Sequence, residues 1–152
     1  MKTPTYQLWA PYPEAGVNAV LADLLVLELP AGTPDTVAVA GLEVVSWRAA
    51  DIERMTRGGR VFDRAELREV LEGAGVTYGW FFFGAPLARG EAVEPVDVPR
   101  LLGRSAFVAD VLEGNFIGAR TVRPDVFSTL REVIIGAKEL EPCDLDAVQL
   151  MY

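Results

Sequence analysis

The sequence has 152 residues, 51% of them apolar, and carries 22 Asp and Glu against 14 Lys and Arg, for a net charge of −8. So apolar a composition excludes a disordered chain, yet no apolar run reaches the roughly eighteen residues of a membrane helix, and the acidic balance makes a phosphate backbone a poor partner. A single cysteine, Cys143, and the lack of any histidine exclude an internal disulfide, cysteine metal clusters, His-ligated zinc and Ser-His or Cys-His catalysis, so no metal and no cofactor is expected.

The opening "MKTPTYQLWAPYP" has one Lys and no apolar core, which does not read as a secretory signal and makes the cytoplasm the expected location. Within it, Thr5–Tyr12 predicts a strand stopped by Pro11 and Pro13. The next stretch mixes two periods. Val17, Val20, Leu21 and Leu24 sit at helical spacing, whereas Leu25, Leu27 and Leu29 alternate, which predicts a helix over about 13–23 and then a strand to Leu29. "PAGTPD" is a turn by composition. "TVAVAGLEVVSW" predicts either two short strands or one strand bulged at Gly41.

"RAADIERMTRGG" suggests a short helix turning Ala49, Ile52 and Met55 inward, and "FDRAELREVLEGAG" predicts a firmer one, with Asp63 as N-cap, Glu66 three residues on, and Leu67, Val70 and Leu71 as its apolar stripe. The aromatic run Trp80-Phe81-Phe82-Phe83 follows as a strand, and "GAPLARGEAVEPVDVP" as a loop. Residues 105–112 read either as a helix capped by Ser105 or as a strand turning at Glu113-Gly114-Asn115, and the β-type residues Phe116, Ile117, Thr121 and Val122 beyond the turn favour the hairpin. A last helix, with Asp125 as N-cap and Val126, Leu130, Val133 and Ile134 inward, leads through an acidic linker to "DAVQLMY" as a closing strand. Residues 1–152 thus predict a single α+β domain, with a mixed or mainly antiparallel sheet and three to four helices.

Three stretches are candidates for function. The aromatic strand places Tyr78, Trp80 and Phe82 on one face and Phe81 and Phe83 on the other, the pattern of a central strand covered on both sides. Tyr78 and Trp80 nonetheless have the polar handles found at interfaces. "RGGR" sets Arg57 and Arg60 beside two glycines whose free N–H groups suit a phosphate or carboxylate, although the spacing is neither a P-loop nor a dinucleotide fingerprint. Glu139, Glu141, Asp144 and Asp146 are acidic without the ligand spacing of a calcium loop. Trp9 and Trp47 each suit a core anchor or a rim residue, and Cys143 has none of the settings that activate a thiol.

Arg outnumbers Lys twelve to two, as in proteins of GC-rich bacterial genomes. The reading that fits best is an acidic binding protein acting through protein–protein contact, in an inhibitor, immunity-type or adaptor role, with a basic partner favoured by charge and contact residues Arg57, Arg60, Tyr78, Trp80 and Trp47. The alternative is a small-molecule binder or enzyme that holds an anion on Arg57 and Arg60 against an aromatic wall. A homodimer is compatible with a chain this apolar. No nucleic acid or membrane partner is expected, and whether the chain is a catalyst stays open.

Overall fold

The computed structural model describes residues 2–45, 52, 54, 58–93 and 98–148. Seven strands, β1 (Pro4–Pro11), β2 (Thr36–Val45), β3 (Arg60–Asp63), β4 (Gly75–Phe83), β5 (Phe107–Leu112), β6 (Phe116–Thr121) and β7 (Lys138–Asp144), form one sheet in the order β3-β2-β4-β5-β6-β1-β7. Every pairing is antiparallel. The helices are α1 (Val17–Leu25), α2 (Arg64–Leu71), α3 (Val98–Arg104) and α4 (Pro124–Val133). The fold is therefore α+β with a wholly antiparallel sheet. Among the described residues no helix is long and apolar enough to cross a membrane.

The aromatic run is β4, and it lies inside the sheet between β2 and β5. Its two apolar faces have two separate coverings. Phe81 and Phe83 join Val37, Val39, Phe107, Ala109 and Ile117 in the larger core, roofed by the inward faces of α1, α2 and α4. Phe82 joins Ala38, Val61, Val108 and, from α3, Leu101 and Leu102 in a smaller core on the opposite face. Phe81, Phe82 and Phe83 are fully buried. Gly79 is required beside them, because a Cβ there would stand 2.9 Å from the Phe81 ring.

β2 is one strand, with its register broken between Ala40 and Glu43 around Gly41 at φ 62°, as expected of a bulge. Asp63 occupies the cap position of α2 but makes no side-chain capping bond. α4 begins at Pro124, a residue pre-set for the first helical position, so Arg123 rather than Asp125 precedes it and Asp125 faces the helix dipole from the first turn. Residues 105–112 belong to the β5–β6 hairpin.

Other expectations are corrected. Leu25–Leu29 is not a strand: the Leu27 N–H donates to Leu24 O, the Arg64 side chain donates to Leu27 O, and Leu27 and Leu29 pack on the larger core from an irregular segment. The acidic linker contains edge strand β7, paired with β1. The closing stretch starts as a 3-10 turn, Leu145–Ala147, and not as a strand, and residues 149–152 lie outside the described ones. Between the helix expected to end at Gly58 and the one capped by Asp63, Arg60–Asp63 is β3. The expected loop to Pro99 gives way at its end to α3, Val98–Arg104. Of the short helix expected before Gly58, Ile52 and Arg54 are helical and Ile52 is buried, while its other residues lie outside the described ones.

Candidate functional site

The face of the sheet that carries α3 has two unlike halves. One is the smaller apolar core. The other is a row of cross-strand neighbours, Trp80 on β4, Asp110 on β5, Gly118 on β6 and Trp9 on β1, each opposite the next. Directly opposed residues in an antiparallel pair share a face, so two indoles flank a carboxylate and a glycine. Arg120 and Gln7, themselves opposed, stand one step along.

Asp110 and Arg120 are buried, at 0% and 4% exposure, and Arg120 donates to Asp110 Oδ1 at 2.8 Å. The Arg120 Nε donates to Gln7 Oε1 at 3.1 Å. The Gln7 amide in turn donates to the Cys143 sulfur and to the Glu141 carbonyl. A hydrogen-bonded chain thus runs from β5 through β6 and β1 to β7. Burying two charges costs free energy that their attraction only repays with good geometry and further hydrogen bonds, and Arg120 has both in its bonds to Asp110 and Gln7.

Gly118 makes the row possible. A Cβ on it would stand 2.7 Å from Asp110 Oδ1 and 3.2 Å from the Trp9 ring. Gly118→Ala is expected to cost about 1–3 kcal/mol by pushing the carboxylate off Arg120 and the indole off its seat, which chemical denaturation measures directly.

Toward the β5–β6 turn the row ends in an aromatic cluster. Trp9 stacks on Phe116 at 5.5 Å between centroids and 6° between planes, and Tyr12 meets the same ring edge-on at 5.0 Å. Tyr12 is 70% exposed. Its φ of 48° lies in the left-handed region that non-glycine residues seldom enter. Its N–H donates to Asn115 O at 2.7 Å, so the backbone bond and the ring contact hold the conformation together.

Of the residues expected at a site, Tyr78 and Trp80 are half-buried on this face. Arg60 is exposed on edge strand β3, opposite Val39 of the larger core, and its backbone bridges to Ala92. Arg60 and Trp80 therefore stand on opposite faces of the sheet. In "RGGR", Gly59 is buried, and a Cβ on it would stand 2.8 Å from both the Val39 and the Val93 carbonyl oxygens. Trp47 and Arg57 lie outside the described residues. Glu139, Glu141 and Asp144 are on β7, and Asp146 is in the following turn. No group of three His, Cys, Asp or Glu among the described residues is placed to hold a metal ion. The sequence reading missed Asp110, Arg120 and Gln7, and gave Trp9 only as a core anchor or a rim residue.

On the other side of the molecule α1 and α2 border an open groove of about 990 Å³. Arg64 closes one end of it by binding Asp35 and the Leu27 carbonyl. Outside the groove, Arg89 ties the loop after β4 to α2 through Asp63 and Glu66, and its hydrogen bond holds the Glu66 carboxyl below the usual carboxylate range. Comparison with family models, with curated proteins and with solved structures finds no match to the chain.

Proposed function

We propose that this chain is a binding protein that acts through protein–protein contact, in an inhibitor, immunity-type or adaptor role, and that the cluster Trp9, Tyr12 and Phe116, with Tyr78 and Trp80 alongside, is its contact surface. The observation that carries the reading is Tyr12, a large aromatic side chain 70% exposed yet held in place by its backbone bond and by the Phe116 ring. Tyr and Trp dominate the energetic centres of protein interfaces because they bury much area with few rotatable bonds to order. A ring already ordered in the free protein loses little more on binding. The net charge of −8 favours a basic partner and speeds the encounter.

The test is affinity purification from the native host, with the wild-type chain and Tyr12→Ser as paired baits. The wild-type bait is expected to retain one basic protein in stoichiometric amount, with an association rate that falls as salt rises. Tyr12→Ser, its melting temperature unchanged, is expected to bind that protein about tenfold or more weakly, the loss of a contact worth roughly 1.4 kcal/mol or more. Recovery of no stoichiometric partner would reject the binding reading. Equal retention by Tyr12→Ser would move the contact off this face.

A further inference from the structure

We infer that the chain pairs with a second copy of itself through α1 and the outer side of α2, on the side of the molecule opposite the aromatic cluster. α1 carries a single charge, Asp23, and the side that borders the groove, Asn18, Ala19, Ala22 and Val26, is uncharged. Val17, Val20, Leu21, Leu24 and Leu25 are buried, and the residues left outward are Asn18, Ala19, Ala22, Asp23 and Val26, with Val26 58% exposed. A helix that borders only water shows charges along its outer stripe, whereas one that is apolar nearly all round has a second contact. Across the groove, α2 and the residue after it present Ala65, Arg68, Glu69 and Glu72 at helical spacing, all exposed.

Charge identifies the occupant. Arg64, Arg89, Asp35, Asp63 and Glu66 satisfy one another within the chain, but Arg68, Glu69 and Glu72 make no ion pair among the described residues. These unpaired charges complement their own copy. In an antiparallel crossing of two α2 helices about a two-fold axis between residues 68 and 69, each Arg68 meets the other protomer's Glu69, an isologous contact that closes on itself. The lining holds two arginines, Arg64 and Arg68, and three acids, Asp35, Glu69 and Glu72, and so accounts for only −1 of the net −8. Two like-charged copies approach at least cost where the local charge nearly cancels, and a basic partner is drawn to the acidic remainder instead. Pairing here leaves both aromatic clusters facing outward, and it stands or falls independently of their role.

Sedimentation equilibrium from micromolar to near-millimolar chain tests the inference. A concentration-dependent rise from 16.5 kDa to twice that mass is expected. Ala22→Glu, which puts a charge among the uncharged α1 residues that line the groove, is expected to raise the dissociation constant about tenfold or more. Arg68→Glu is expected to do the same, and Arg68→Glu/Glu69→Arg to restore pairing by exchanging both halves of the contact. Arg68 is exposed and has no ion-pair partner among the described residues, so it decides the matter even if Ala22→Glu perturbs folding. A monomer throughout the series would overturn the inference, as would a dimer indifferent to Arg68→Glu or one that the exchanged variant fails to restore.

Discussion

Asp110→Leu is expected to destabilise the fold by about 3–5 kcal/mol, and Asp110→Leu/Arg120→Met to regain most of that loss. The reason is the position of Arg120. Its guanidinium, a cation with five N–H donors and no acceptor, is 4% exposed. Without Asp110 it would retain Gln7 Oε1 as its one side-chain acceptor among the contacts described, and a buried cation with a single neutral acceptor costs far more than the cavity left by a carboxylate. Removing both charges removes the desolvation penalty together with the attraction, which is why buried pairs replaced by apolar residues of similar volume often lose little. Urea unfolding at fixed pH measures the three proteins, with unchanged slopes as the sign that midpoints report stability. A double variant no better than Asp110→Leu alone would show that the cost does not come from the uncompensated charge. Because the pair is buried, added salt should change the differences little.

The same pair penalises misregister. Asp110 lies opposite Gly118, which sets Arg120 two residues further along the same face. A one-residue slip of β6 against β5 would turn Arg120 toward the face roofed by α1, α2 and α4, where its neighbours would be Leu8, Ala109, Phe127 and Leu130 in place of Asp110 and Gln7. Apolar replacements at both positions would leave that slip unopposed. The network therefore specifies which residues of β5, β6 and β1 face each other.

How much of this was legible in the sequence depends on whether an element declares itself through its own side chains. β4 does: a period of two with both faces apolar has few solutions other than a central strand. α2 and α4 do so by apolar stripe and first-turn acid. β7 does not, because Lys138, Glu139, Glu141 and Pro142 make a polar edge, held by main-chain bonds to β1 that no side-chain pattern records. β3 has four residues and α3 seven, too few to outvote their charged or Pro-rich surroundings. The site was hidden for a related reason. Asp110 and Arg120 each interrupt an apolar strand, and each alone reads as a local blemish. Once the turn at Glu113-Gly114-Asn115 sets Leu112 opposite Phe116, counting back along both strands places the two charges on one face as diagonal neighbours. That register was available from the hairpin, and the count was the missing step. Nothing in the run of residues near Trp9 or Tyr12 shows that they converge on Phe116, because that contact depends on β1 pairing with β6 across more than a hundred residues.

Phe83→Ala is expected to cost about 3–5 kcal/mol, as removal of a fully buried aromatic ring generally does. Phe83 is the last residue of β4, is 0% exposed, and stacks on Phe107 of β5 at 4.3 Å and 10° between planes. It also lies opposite Val37 of β2, so its ring sits where three strands meet the helical layer. The cavity cannot collapse easily: Gly84 follows at φ 70°, and a Cβ there would stand 2.5 Å from Thr33, which shows how tightly that turn is packed against its neighbours. For a domain of this size the loss corresponds to a fall in melting temperature of roughly 6–20 °C, measurable by calorimetry. The stacked pair itself should couple by about 0.5–1.5 kcal/mol in a cycle with Phe107→Ala, so the two single losses should sum to more than the double variant's. Exposed Ile135 is the internal contrast. It is 84% exposed, and Ile135→Ala should change stability by no more than about 0.5 kcal/mol. Equal losses at Phe83 and Ile135 would contradict the placement of the aromatic strand at the centre of the sheet.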